Sequence, residues 1–308
     1  MNIAHLGHVE LRTPKLEESA AFFRDIVGME ESMRTATSVY LRAWGDYEHY
    51  TLILTAADTP GLVQMGLRVS APEDVEAYAK HLESIGVPVQ RCPAGAEPEL
   101  GESIRFTGEG GHTVKLYYHM KKWDAGINKS LLISQAQKQP FRGMNVKRLD
   151  HINLQTPDVQ KTREFYCNEL GFKLREYAVG EDGTDGGAWM AVTSQIHDVA
   201  LLKQPEGKPG RIHHVAFYLD SREELLRCID VLTENGNRLE AGPGKHGATQ
   251  AAYIYFLEPG GNRVELFSGG YHIYAPDWEP VKWDFKDINR AVIWWGAPMP
   301  DQFYLYDT

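Results

Sequence analysis

Cysteine is scarce in this chain of 308 residues: Cys92, Cys167 and Cys228 are all there is. They are odd in number, far apart and form no CxxC pair, which argues against a disulfide framework and a thiolate zinc site. Three reduced thiols in a cytoplasmic protein are expected instead. The sequon at Asn128 is then idle. Basic runs are missing too. Lys and Arg number 32 against 42 Asp and Glu, a net charge of −10, so there is no electrostatic footprint for nucleic acid. No apolar stretch approaches the roughly 18 to 20 residues that span a bilayer. The opening residues, MNIAHLGHVELRTP, lack the charged and apolar regions of a secretory signal. What remains is an ordinary globular composition, 43% hydrophobic and 24% charged, with too many aromatics for disorder and a length that suggests two domains.

The chain repeats itself. His8-Val-Glu-Leu-Arg-Thr-Pro aligns with His151-Ile-Asn-Leu-Gln-Thr-Pro, 143 positions later. Phe22-Phe23 aligns with Phe165-Tyr166, and Gly28 with Gly171, at the same offset. Further on the offset is 150: Gly86 aligns with Gly236, and Arg105-Phe106 through Lys115-Leu116 with Tyr255-Phe256 through Glu265-Leu266. The Gly-rich run 180–187 is the natural place for most of the extra residues. The expected division is a first half over 1–122, a linker over 123–144, a second half over 145–280 and a tail over 281–308. Four tail-region tryptophans, Trp278, Trp283, Trp294 and Trp295, are expected to pack on their own domain or cover a subunit contact.

Each half reads alike. An alternating strand ends at Thr-Pro, and a helix carrying Phe165, Tyr166 and Leu170 at helical spacing stops at Gly171. Strand patterns follow around Gly187–Thr193 and Asp198–Leu202. A second unit starts at Ile212, with a strand over His214–Leu219, a helix opening at Ser221-Arg-Glu-Glu, and strands over Tyr253–Leu257 and Arg263–Phe267 joined by a Pro-Gly-Gly turn. The fold class is α+β, with tandem duplicated β-α-β-β-β modules in two similar domains.

The differences between the halves point to a site. At three equivalent strand positions the second half has His151, His214 and Glu265, and the first has His8, Gln64 and Lys115. Two histidines and a carboxylate form a facial set for a divalent metal with open positions. Lysine has no lone pair to offer at neutral pH. One metal site, in the second half, is expected. His213 and His214 are adjacent, so strict alternation puts them on opposite faces and lets only one serve; the period favours His214. Taken alone, His246 reads as a solvated loop histidine, Tyr253 and Tyr255 as strand tyrosines of the core, and His197, whose first-half counterpart is His49, as a structural residue.

The run Gly244-Lys245-His246, seven residues, Ile254-Tyr255-Phe256-Leu257-Glu258-Pro259-Gly260-Gly261, three residues and Glu265 resembles the signature of the type I extradiol ring-cleavage dioxygenases of the vicinal oxygen chelate superfamily. The resemblance covers nearly the whole chain and is strongest to the enzymes that cleave catechol or 2,3-dihydroxybiphenyl. It implies that His151, His214 and Glu265 are metal ligands, His197 an acid/base histidine, and His246 and Tyr255 contacts to the substrate. Trp189 is a candidate pocket wall. Fe(II) is the implied metal, with Mn(II) the alternative. The implied reaction is meta cleavage of catechol or an alkylcatechol with O2, giving 2-hydroxymuconic semialdehyde. A biphenyl diol is the alternative substrate, and an isomerase or lyase of the same fold or an aromatic-ligand binding protein are more remote readings. A cytoplasmic homo-oligomer, commonly a tetramer, is implied as well.

Overall fold

The computed structural model describes residues 1–308. The first half contributes β1 (Ile3–Thr13), α1 (Leu16–Ala21), β2 (Glu30–Arg34), β3 (Ser38–Arg42), β4 (Leu52–Ala56), β5 (Gly61–Val69), α2 (Glu73–Ser84), β6 (Gln90–Cys92), β7 (Ser103–Thr107) and β8 (Thr113–Tyr117). The second contributes β9 (Arg148–Thr156), α3 (Val159–Glu169), β10 (Lys173–Val179), β11 (Asp185–Ala191), β12 (Val199–Lys203), β13 (Arg211–Tyr218), α4 (Arg222–Glu234), β14 (Ala241–Lys245), β15 (Ala251–Leu257) and β16 (Arg263–Gly269). The tail adds β17 (Val281–Trp283), α5 (Ile288–Val292), β18 (Trp295–Gly296) and α6 (Asp301–Leu305). Each half is therefore two β-α-β-β-β modules. Two strands, β10 and β14, lie outside the strand patterns read from the sequence; β14 is Ala-Gly-Pro-Gly-Lys, which reads as loop.

The local signals behave as their chemistry requires. Ser221 and Glu224 form a reciprocal capping box at the start of α4. Asp158, just past the Thr-Pro step, accepts from the Lys161 amide and caps α3. Gly28, after the π-helical stretch Phe22–Val27 that continues α1, and Gly171, after α3, have φ of 87° and 79°, the left-handed position that glycine adopts without penalty. The extra residues of the second half fall in the longer β10–β11 hairpin.

The first sheet has strand order β2-β3-β4-β1-β5-β8-β7-β6. The second repeats it as β10-β11-β12-β9-β13-β16-β15-β14, and the tail extends both of its edges with β17 and β18. The repeat extends to register. His8 pairs Gly66, which pairs Lys115; His151 pairs Ala216, which pairs Glu265.

The halves hold each other reciprocally. Phe22 and Phe23 follow α1 and meet Phe256 and Phe217 of the second sheet at 5.8 and 6.3 Å between ring centroids. Phe165 of α3 meets Phe106 of the first sheet at 6.3 Å, and Tyr166 reaches Met65. One apolar core of 50 buried residues runs through both halves, so burying these faces stabilises the pair as a unit. The central strands β9, β13 and β16 are left to present side chains to a cavity on the other face of the second sheet.

Candidate metal centre

Three adjacent strands carry the candidate ligand set. His151 stands on β9, His214 on β13 and Glu265 on β16. All three are buried. His151 Nε2 and His214 Nε2 are 3.3 Å apart, and each lies 3.0 Å from Glu265 Oε2.

The neighbours decide where the protons sit. The Phe303 carbonyl only accepts, so His213 donates to it from Nε2 across 2.9 Å. His213 Nδ1 then holds a lone pair, and His214 donates to it from Nδ1 across 2.7 Å. His214 is left with a bare Nε2. His151 donates from Nδ1 to the Asp150 carboxylate across 2.8 Å and is also left with a bare Nε2. With both rings neutral, two imidazole lone pairs and a carboxylate oxygen converge, and Glu265 Oε1 is buried without a hydrogen-bond partner. Such an arrangement is repulsive until a cation joins it, and the donor set fits a divalent first-row metal. Protons are the competing cation. Burial works against a charged His151, but Asp150 and Glu265 outweigh it and raise its pKa to about 9. Burial pushes His214 down to about 4. Burial also favours a protonated Glu265, yet the surrounding histidines together hold it ionised, well below the usual carboxylate range.

His213 corrects the expectation from alternation. A register shift between Ile212 and His214 marks a β-bulge in β13, so the two histidines do not point to opposite faces. Only His214 joins the ligand set, but His213 orients it and lines the same cavity.

His197, His246 and Tyr255 surround these ligands. The His197 ring lies 3.9 Å from that of His151, and its buried Nδ1 has no partner. Burial, then the neighbouring His151, push its pKa well below the ordinary value, so it is neutral. His246 is not a solvated loop residue. It donates from Nδ1 to the Val292 carbonyl at 2.6 Å, accepts the Tyr255 hydroxyl at Nε2 across 3.0 Å, and stacks on Tyr253 at 4.0 Å. Burial raises the Tyr255 pKa well above the ordinary value, so its proton stays available for that bond. Trp189 of β11 lines the cavity as well.

The cavity has a volume of about 360 Å³. The tail forms much of its wall, through Phe285, Ile288, Ala291, Val292, Phe303 and Tyr304. None of these residues stands out from the repeat, because the tail has no counterpart in the first half. The helical spacing of Ile288, Ala291 and Val292 was the available signal. The tail tryptophans divide: Trp283 donates to the Glu176 carboxylate at 2.5 Å, whereas Trp294 and Trp295 are exposed. Asp150, Asn153, Gln155 and His213 also escape a reading based on ligand types alone.

The first half lacks all of this at the same register. Lys115 is buried and paired with Glu97. Gln64 donates to Glu10 at 2.7 Å.

A duplicated β-α-β-β-β fold with two histidines and a glutamate on adjacent strands defines a metal-dependent enzyme of the vicinal oxygen chelate type. Comparison with known proteins agrees. Residues 148–266 match the family described as Glyoxalase/Bleomycin resistance protein/Dioxygenase superfamily, and residues 64–121 match the Catechol 2,3-dioxygenase-like N-terminal domain. The chain is 41% identical to a manganese-dependent 2,3-dihydroxybiphenyl 1,2-dioxygenase of Geobacillus genomosp. 3, over 99% of this chain and 98% of that one. It is 36% identical to a metapyrocatechase of Geobacillus stearothermophilus, over 100% and 94%. The solved structure of the 2,3-dioxygenase LapB from Pseudomonas sp. KL28 is similar, with a TM-score of 0.85, 33% identity, and coverage of 93% of this chain and 99% of that one. The chain belongs to the type I extradiol ring-cleavage dioxygenases of the vicinal oxygen chelate superfamily.

Proposed function

We propose that the enzyme cleaves the ring of a substituted catechol beside its hydroxyl pair, using O2, with an aryl substituent such as that of 2,3-dihydroxybiphenyl preferred over bare catechol. The observation that carries the preference is the cavity: about 360 Å³, walled beyond the ligand set by Leu202, Phe285, Ile288 and Phe303. Bare catechol would leave most of that apolar wall wet. The relative named for 2,3-dihydroxybiphenyl, 41% identical, supports the same choice. The relatives named metapyrocatechase, 36% and 33% identical, support catechol as the second reading.

His151, His214 and Glu265 would hold Fe(II) or Mn(II); both metals are named among relatives. When bound, the metal supplies the open coordination positions and the redox step that joins catechol to O2. The chain supplies the rest. A divalent ion with one carboxylate leaves a net positive site, which favours binding of the catechol as an anion. His197, held neutral by burial, is suited to take up a proton from the substrate and to return it later in the reaction. Tyr255 and His246, fixed to each other and to Val292, would orient the substrate oxygens. The apolar tail residues keep water away from the reacting ring.

The test is oxygen uptake and yellow product, recorded together, for protein reconstituted without air with Fe(II) or Mn(II) and given catechol or 2,3-dihydroxybiphenyl. Stoichiometric uptake with yellow product on the biphenyl diol, faster than on catechol, is the expected result. Folded, metal-loaded protein that takes up no oxygen with either compound defeats the proposal. A homo-oligomer is part of the same reading. Ile127, Leu131 and Ile133 of the linker are 94%, 96% and 100% exposed, a surface that a second copy would cover.

A further inference from the structure

Strand β10 carries a buried acid that does not line the cavity. Glu176 is 1% exposed. A buried acid group is costly unless its oxygens are satisfied. Three donors from three segments satisfy this one: the Thr249 amide at 2.8 Å, the Tyr271 hydroxyl at 2.7 Å and the Trp283 indole at 2.5 Å.

Each donor belongs to chain that builds the site. Thr249 lies in the loop that begins at His246. Tyr271 stands just past β16. Trp283 ends β17, which runs beside β10 with Val281 opposite Glu176. The loop in turn holds α5. The Gly247 and Ala248 amides donate to the Ala291 carbonyl at 2.9 Å each, and His246 Nδ1 donates to that of Val292. Glu176 thus joins sheet, loop and tail behind the cavity wall. The loop needs the hold. Thr249 and Gln250 both have φ of 61°, a left-handed backbone that is rarest for a β-branched residue such as threonine. Such a backbone persists only where its surroundings fix it.

The duplication supplies an internal control. Strands β2 and β10 share their register, its shift included: Met33 pairs Tyr40 where Glu176 pairs Trp189. Met33 packs on an apolar cluster of the first half. The first half also has a left-handed residue at the position of Thr249, Glu99 with φ of 59°. The backbone turn therefore belongs to the fold. The acid belongs only to the half with a histidine in that loop and a tail beyond it.

We infer, on the ring-cleavage reading above, that Glu176 is a positioning residue for the reaction. It touches no substrate. It fixes the loop and the tail between which His246 is held, and so keeps His246 and its partner Tyr255 in place for the substrate oxygens.

The experiment compares wild type with E176Q, alone and in an H246F background. The carboxamide keeps the size but turns an NH2 towards donors, so at least one of the three bonds is lost. Hydrogen exchange of the Mn(II)-loaded proteins is followed by mass spectrometry. In E176Q, exchange over 246–251 and 288–295 should rise roughly tenfold or more, while β9 and β13 exchange as in wild type and metal stoichiometry is kept. Turnover of 2,3-dihydroxybiphenyl, or of catechol where that is the better substrate, should fall about 10- to 100-fold. In H246F the same change should cost less than about twofold, because the residue through which Glu176 acts is gone. Unaltered exchange over 246–251, wild-type turnover in folded E176Q, or an undiminished loss in H246F overturns the inference. If thermal melts show E176Q unfolded, Y271F, which removes one donor, takes its place with the same expectations. If neither folds, Glu176 is structural and the inference falls. Wild type that cleaves neither compound sinks the ring-cleavage reading itself, and hydrogen exchange then decides the hold on the loop.

Discussion

Lys115 and Glu265 occupy one position in two copies of the same sheet: each pairs with the β5 or β13 residue that pairs back to His8 or His151. A buried ammonium stands where the other half presents a buried carboxylate. The first half thus carries a cation covalently at the position where the second half offers a ligand to the proposed metal. E265K should therefore fold and bind no metal, because the introduced ammonium takes the cation's place. Metal analysis of the purified variant, beside a thermal melt, checks this. Stoichiometric metal in E265K would contradict it.

Asp150 would act on a bound metal through His151. Its carboxylate accepts from His151 Nδ1 at 2.8 Å and so leaves Nε2 as the nitrogen turned to the site. D150N keeps the shape but removes the charge. Metal affinity should fall about 10- to 100-fold, the usual effect of losing such a partner. Competition with a fluorescent chelator reads this directly.

For His197 the expected split is between metal and turnover. It touches the His151 ring but offers no atom to the ligand set. H197F should retain metal and lose turnover by roughly 10²- to 10⁴-fold, the range for a general acid or base. Full activity in the variant would remove His197 from the mechanism.

The first half should set part of the acid stability. His8 is fully buried, both ring nitrogens lack partners, and burial, then Lys115, push its pKa down to about 3 from 6.5. The folded state then binds fewer protons than the unfolded state below pH 6.5. The stability contribution is complete above that pH and is lost as pH falls towards 3. At pH 4 the loss is about 3 kcal/mol, from 1.36 kcal/mol per pKa unit. Urea melts of wild type and H8L at pH 7 and pH 4 should show a steeper loss for wild type. Equal losses would rule this out.

The duplication, the fold class and the extradiol family were legible in the sequence. They rest on residue types recurring at fixed spacing, and spacing along a strand translates directly into shared faces. The contrast of His151, His214 and Glu265 with His8, Gln64 and Lys115 needed no coordinates for the same reason. His213 was misread because a bulge breaks the two-residue period, and a bulge depends on the partner strand. Asp150 and Glu176 were silent because what marks them is the hydrogen bonds they accept, which only the fold brings about.

The sequence by itself determined two tandem module pairs and a single candidate ligand set in the second half, since periodicity and residue chemistry are properties of the chain. Only the tertiary structure decided the hydrogen-bond partners around that set and the size and walls of the cavity. Each of these depends on groups that meet across the fold: Phe303 on His213, Val292 on His246, and the tail across the second sheet.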